Sequence, residues 1–235
     1  MGKVILSGIV PKLTVPKTDI MATDLAVGST VKLLENGVAV DYIVVNKGIP
    51  ANSSLYDSSC DGLWLLRKDI LENKKWSTET SSSATNNYPG KVITESDVLA
   101  LFDDNTKSAI KTVKIPHVNG DGYASVASGA DGDDCQIFSL SGREVGSTSA
   151  KADGACLSYF SGASNSKRIA YLNGTATAWW TRTPEANSKK SAIVVTASGG
   201  LDFELVYYTS GSRPALVLPH TAKFDPETLL FMGVA

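Results

Sequence analysis

Near its end the chain reads Ala178-Trp179-Trp180-Thr181-Arg182-Thr183-Pro184 and later Gly211-Ser212-Arg213-Pro214-Ala215-Leu216-Val217-Leu218-Pro219. Both segments are strand-like, and prolines bound the apolar run of the second one. Proline cannot donate a hydrogen bond to a neighbouring strand, so this run is predicted to form a final strand at or near a sheet edge. The residues between the two segments, 192–208, are predicted to form a hairpin.

This late hairpin turns at Gly199-Gly200, between the apolar runs 191–198 and 201–208. Paired glycines between two such runs are typical of a tight hairpin turn. Side chains alternate between the two faces of a strand. The return strand is therefore predicted to place four side chains on one face, namely Asp202, Glu204, Val206 and Tyr208.

The first half of the chain predicts a second hairpin and a pair of helices. The Asn36-Gly37 turn between residues 30–34 and 38–45 supplies the positive φ angles of a tight turn. One helix is predicted around residues 98–102. Another is predicted to start at Asp104 or Asn105, to carry Ile110, Val113 and Ile115, and to end at Pro116.

Turn-rich segments separate these elements. Residues 77–87 are almost all Ser, Thr and Asn, and residues 117–134 are rich in Gly and Asp, so both predict irregular loops. The spacing of Ser141 and Glu144 is that of a capping box, which predicts one more short helix. The predicted fold class is α+β, with short helices, antiparallel hairpins and long irregular loops.

Composition excludes several classes of protein. The net charge of −2 gives no electrostatic footprint for nucleic acid or for an anionic membrane. No apolar run approaches the roughly 20 residues of a membrane-spanning helix, so no membrane insertion is expected. The first residues do not resemble a secretory signal. The chain is expected to be made in a cytoplasm and to leave it by lysis or on a particle.

The three cysteines, Cys60, Cys135 and Cys156, have no short spacing. An odd, dispersed set argues against a disulfide framework and against a zinc site. Three reduced thiols are the main interpretation, and one disulfide with a free thiol remains the alternative. The acidic cluster around Asp131, Asp133 and Asp134 lacks the spacing of a calcium loop. No metal and no cofactor is predicted.

Residues 1–20 are interpreted as an extended arm that precedes a domain of residues 21–235. Val10-Pro11 and Val15-Pro16 favour an extended backbone and remove amide donors. The arm is predicted to attach the domain to other subunits of an assembly. A partly ordered terminus is the alternative.

The ordered set of motifs, above all Trp179-Trp180-Thr-Arg-Thr-Pro184 and Gly211-Ser-Arg-Pro-Ala-Leu216, resembles a phage- and prophage-associated family with a "WWLRSP…GVRPALVL" pattern. The chain departs from that pattern at Thr181 and Ser212. The resemblance implies a C-type lectin-like fold, similar to receptor-binding proteins that retroelements diversify near the C-terminus. In this chain the corresponding region is residues 187–210.

The resemblance implies a protein of the virion, on the tail or particle surface, that binds a glycan or protein receptor on a bacterial surface. The alternative is a structural capsid or tail decoration. The oligomeric state stays open, with a homotrimer as one option. No catalytic role is expected, because neither His117 nor His220 lies near a recognisable nucleophile motif.

Eight residues are predicted to contact the ligand. A mixture of tyrosine, serine and isolated charges is typical of adaptable binding surfaces, whereas an ordinary exposed strand is the alternative. Of the adjacent tryptophans at least one is expected in the core, and Arg182 and Arg213 are expected to bond loop carbonyls. The predicted contact residues are Trp180, Lys189, Ser191, Asp202, Glu204, Val206, Tyr208 and Ser210.

Overall fold

Strands dominate the chain in the computed structural model, which describes residues 18–51, 53–77, 79, 83–87, 93, 95–162 and 164–235. This described part contains nineteen strands and two short α-helices. The strands are β1 (Ile20–Met21), β2 (Thr30–Glu35), β3 (Val38–Lys47), β4 (Leu63–Arg67), β5 (Glu72–Lys75), β6 (Val113–Ile115), β7 (His117–Val118), β8 (Val126–Ala127), β9 (Asp133–Cys135), β10 (Ile137–Ser139), β11 (Tyr171–Leu172), β12 (Thr175–Ala176), β13 (Trp179–Pro184), β14 (Ser191–Val195), β15 (Leu201–Leu205), β16 (Thr209–Ser212), β17 (Pro214–Leu218), β18 (Ala222–Phe224) and β19 (Phe231–Val234). The helices are α1 (Glu95–Leu99) and α2 (Asp104–Ala109).

The predicted α+β class, with its lectin-like arrangement, is wrong, because the described chain is all-β in character. Helix α2 begins at Asp104 as predicted but ends at Ala109. Four of the six residues after it are β-branched, and Val113–Ile115 pair with β9 as a strand instead of extending the helix. Ser141 and Glu144 make both bonds of a capping box, yet residues 142–146 form turns and no helix follows.

The first large sheet has the strand order β10-β17-β4-β3-β2, and all its neighbours are antiparallel. The predicted hairpin at Asn36-Gly37 is confirmed by β2 and β3, and both turn residues have positive φ. The run 214–219 was predicted to form the final strand at or near a sheet edge; it forms β17, which lies between the edge strand β10 and β4, and β18 and β19 follow it in the chain. Pro214 is tolerated there as the first residue of the strand.

The second large sheet has the order β15-β14-β13-β16-β5. Strand β13 lies at its centre, antiparallel to β14 and parallel to β16. The predicted Gly199-Gly200 hairpin is confirmed by β14 and β15, but β15 ends at Leu205, three residues earlier than predicted. The pattern of alternating faces therefore does not extend to Val206 and Tyr208.

Three apolar cores alternate with these two sheets. One lies on the face of the first sheet that carries Leu33 and Leu65, against both helices. A central core lies between the two sheets and contains Trp64 and Trp179. A third core, on the other face of the second sheet, contains Trp76 and Trp180. Trp179 and Trp180 thus point to opposite faces of β13, and both are buried.

The two ends of the described chain meet in a small sheet, in which β18 pairs with both β1 and β19. Ile20 lies opposite Phe224 in that sheet. Most of the predicted arm, residues 1–17, lies outside the described residues. No helix in the described part is long and apolar enough to cross a membrane.

Candidate functional site

A buried ion pair anchors the centre of the second sheet. Arg182 of β13 contacts Glu144 through two hydrogen bonds, Nη1 to Oε2 at 2.6 Å and Nη2 to Oε1 at 2.7 Å. Its remaining donors bond the carbonyl oxygens of Pro116, Ser139 and Asp153 at 2.9–3.0 Å. All five guanidinium N–H groups therefore have acceptors. The prediction that Arg182 bonds loop carbonyls is confirmed.

A second carboxylate, Asp153, lies against the same guanidinium and is fully buried. Its Oδ2 accepts a 2.7 Å hydrogen bond from the hydroxyl of Thr183, while its Oδ1 has no partner among the described residues. One cation thus faces two acidic side chains. Burial, with a further contribution from Glu144, raises the pKa of Asp153 to about 6, although Arg182 opposes that rise.

Arg213 fixes the other end of this sheet. Its Nε and Nη2 donate to the carbonyl oxygens of Arg67 and Lys68, each at 2.8 Å, which confirms the second arginine prediction. The guanidinium also stacks 4.9 Å from the ring centre of Trp179. Burial lowers the pKa of Arg213 to about 10. Arg182 and Arg213 are both structural side chains that reach no surface.

The structure separates the eight predicted contact residues into two groups. Trp180, Val206 and Ser210 are buried and present no surface to a ligand. Trp180 packs in the third core and donates its Nε1 hydrogen to the carbonyl oxygen of Lys74. The accessible members are Lys189, Ser191, Asp202, Glu204 and Tyr208, of which Tyr208 is 51% exposed.

Asn86 ties the loop of residues 185–190 to the body of the protein. Its Nδ2 donates to the carbonyl oxygens of Ser188 and Ser191, its backbone amide donates to that of Lys189, and its Oδ1 accepts from the amide of Gly122. Sequence reasoning missed this role, because Asn86 lies in a segment that was predicted to be a polar loop. The structure buries both Asn86 and the nearby Ala84.

A second loop, which contains Asp121 and Tyr123, also contacts the loop of residues 185–190. The Tyr123 hydroxyl donates to the carbonyl oxygen of Asn187 at 2.8 Å. Lys189 forms a 3.2 Å ion pair with Asp121, and its ammonium lies 5.8 Å from the Tyr123 ring centre. Lys189 therefore extends from a loop that is held on two sides. The pattern of polar and apolar residues in the sequence could not have placed Asp121 and Tyr123 beside Lys189.

Phe203 is a further exposed residue that the sequence prediction omitted. It is 46% exposed at the centre of β15, on the outer edge of the second sheet. β15 is an edge strand of the sheet that the described residues form, so Phe203 has a neighbouring strand on one side only.

Acidic and thiol groups do not converge in the described residues. No group of three His, Cys, Asp or Glu side chains there could hold a metal ion. Asp121 pairs with Lys189, and Asp134 lies 4.0 Å from Lys114. The three cysteines are free, with Cys60 and Cys135 buried and Cys156 exposed.

A cleft of about 450 Å³ lies beside the buried ion pair. Its lining includes Arg143, Gly154 and Cys156 but none of the buried charged groups, Arg182, Glu144 or Asp153. A molecule in this cleft would therefore meet mainly backbone and small side chains. Arg182, Glu144 and Asp153 are buried and do not contact this cleft.

Comparison with known proteins finds one family and no individual relative. Residues 61–220 match a domain of unknown function, DUF6273. No curated protein and no solved structure matches the chain. The match begins just before β4 and ends just after β17, so it contains the buried arginines and the late hairpin. Because it covers more than half of the chain, the protein belongs to the DUF6273 family.

Proposed function

We propose that the protein is a non-catalytic binding protein of a phage or prophage particle. It recognises a glycan or protein on a bacterial surface through the exposed part of residues 187–208. The location on a particle rests on the resemblance of the motifs around Trp179 and Arg213. The predicted attachment to other particle subunits concerns residues 1–20.

The observation that carries the binding role is an exposed polar and aromatic surface on a rigid support. Tyr208 is exposed, and its ring packs at 4.9 Å against that of Tyr207, which contacts the third core. Lys189 extends from the loop that Asn86 and Tyr123 hold. Such pre-organised side chains lose little conformational entropy when a ligand binds, and their composition is that of adaptable binding surfaces.

The buried charges support binding over catalysis. Arg182 bonds Glu144 and nearby carbonyl groups, Asp153 bonds Thr183, and none of the three charged residues lines the adjacent cleft. A catalytic acid or base must come within hydrogen-bond reach of its substrate. The cluster is therefore assigned to the scaffold.

Binding of the labelled protein to whole cells from a panel of bacterial species tests this role. Tyr208→Ala is expected to weaken attachment at least tenfold, because the variant removes the most exposed aromatic side chain of residues 187–208. Tyr171→Ala is the matched control: Tyr171 is similarly exposed, at 45%, but lies on the separate β11–β12 hairpin. Equal attachment by both variants and the parent protein would contradict the proposal and favour a structural decoration.

A further inference from the structure

Strand β15 forms one edge of the second sheet. Among the described residues it pairs only with β14, with Ile193 opposite Phe203. The flanking amide-to-carbonyl bonds, from Thr196 to Gly200 and from Val206 to Lys190, show which residues bond across the pair. By that alternation the backbone groups of Asp202 and Glu204 face β14, whereas those of Leu201, Phe203 and Leu205 point outward.

Two carboxylates cover the outward amides of this edge. The Phe203 amide donates to Asp202 Oδ1 at 2.8 Å, and the Leu205 amide donates to Glu204 Oε1 at 3.0 Å. Asp202 and Glu204 alternate along the strand, so they lie on the same face. The edge thus carries two neighbouring negative charges on one face and the exposed Phe203 ring on the other.

A small hollow lies beside Phe203. It is lined by Phe203, Ile193, Leu201, Asp202, Ser147 and Ser149, so its lining is part apolar and part polar. An aliphatic side chain opposite Phe203 on an added strand would lie against the Phe203 ring beside this hollow.

We propose that β15 is a strand-addition site for an extended segment of a partner protein with the pattern lysine–apolar–lysine. Carbonyl groups of the added strand would accept the Phe203 and Leu205 amides and release both carboxylates. Lysines at alternate positions would then lie opposite Asp202 and Glu204, with the apolar residue between them beside Phe203. This inference rests on the proposed binding role and names the class of partner.

Charge argues against a second copy of the same strand at this edge. Antiparallel pairing of two β15 strands about Phe203 would place Asp202 of one copy opposite Glu204 of the other. Like charges directly opposite each other destabilise a strand pair. Acidic edge residues also protect a free strand from unwanted pairing. The two carboxylates that disfavour pairing with a second copy favour pairing with a basic partner strand.

The test uses fluorescein-labelled peptides and the full chain. The probe has the sequence Ser-Lys-Val-Lys-Val-Ser-amide and carries the fluorescein on its amino terminus. One comparison peptide replaces both lysines with glutamates, and another replaces the valine between the lysines with proline. Proline keeps the charge but removes an amide donor. Fluorescence anisotropy measures the affinity, and hydrogen exchange of the Phe203 amide reports where the peptide binds.

The lysine probe is expected to bind saturably and to slow exchange at Phe203. Both comparison peptides should bind at least tenfold more weakly. The double variant Asp202→Asn with Glu204→Gln keeps acceptor oxygens for the two amides and removes the charges, so it should weaken the probe at least tenfold. The control removes the same charge from α1 and α2 through Asp97→Asn with Asp104→Asn, and should leave the affinity unchanged.

Equal binding of the lysine and proline peptides would reduce the effect to charge attraction and overturn the proposal. Binding that requires removal of residues 1–17 would show that the chain's own segment covers the edge, which also overturns a separate partner. Absence of probe binding, together with loss of cell attachment in Tyr208→Ala, would reject the strand-addition site and leave the proposed function intact.

Discussion

Replacing Asp153 with asparagine tests whether the buried cluster holds one carboxyl in its protonated form. The Arg182 guanidinium already forms two hydrogen bonds with Glu144, so a second ionised carboxylate in this buried place is poorly compensated. The folded-state pKa of Asp153 is raised from 3.8 to about 6. Asparagine removes the ionisation, and its carbonyl oxygen can still accept the Thr183 hydroxyl.

The pH dependence follows from that direction. Between pH 4 and pH 6 the folded state retains a proton on Asp153 that the unfolded state has released, so the contribution of Asp153 to stability falls as pH rises. Raising the pKa from 3.8 to about 6 corresponds to about 3 kcal/mol of unfolding free energy over the whole titration. Part of this is already lost at pH 4, where the carboxyl of the unfolded state is more than half ionised. The stability of Asp153→Asn relative to the parent protein should therefore increase by about 2 kcal/mol between pH 4 and pH 7.5.

Urea unfolding monitored by tryptophan fluorescence provides the measurement, because all four tryptophans are buried. Other titrating groups are common to both proteins and cancel in the difference between them. Asp97→Asn, which removes an exposed carboxyl on α1, is the control for the loss of a carboxyl elsewhere. A difference for Asp153→Asn that is constant between pH 4 and pH 7.5 would refute the reasoning, because Arg182 would then compensate both carboxylates.

Two further predictions concern the support of the proposed surface. Arg182→Met leaves Glu144 buried without its cation and should cost about 3–5 kcal/mol of unfolding free energy in urea at pH 7.5; a cost below about 1 kcal/mol would contradict a compensating role. Asn86→Ala removes the side-chain hydrogen bonds to Ser188, Ser191 and Gly122 and should cost about 2 kcal/mol, with faster amide exchange in the 185–190 loop. Unchanged exchange there would show that Tyr123 and Asp121 suffice to hold the loop.

The local elements of the candidate site could be predicted from the chain, whereas its exposed surface could not. Gly199-Gly200 correctly predicted the late hairpin, and strand alternation correctly separated Trp179 from Trp180. Trp180 and Val206 were wrongly assigned to a ligand surface. The alternation of side chains along a strand shows that its two faces differ, but it does not show which face is covered by another part of the protein. The covering residues include Ala84 and Trp76, which come from a distant part of the chain.

Turn chemistry and side-chain periodicity are local properties, so the sequence by itself determined both hairpins, the positions of most long strands and the carbonyl-binding roles of Arg182 and Arg213. Only the tertiary structure decided that Val113–Ile115 is a strand, since its pairing with β9 overrides the preceding helix. It also decided that β17 is internal, that β15 is an edge strand, and that Glu144 and Asp153 share one guanidinium. These features depend on which distant segments pack together, and the spacing of residues within one segment does not determine that packing.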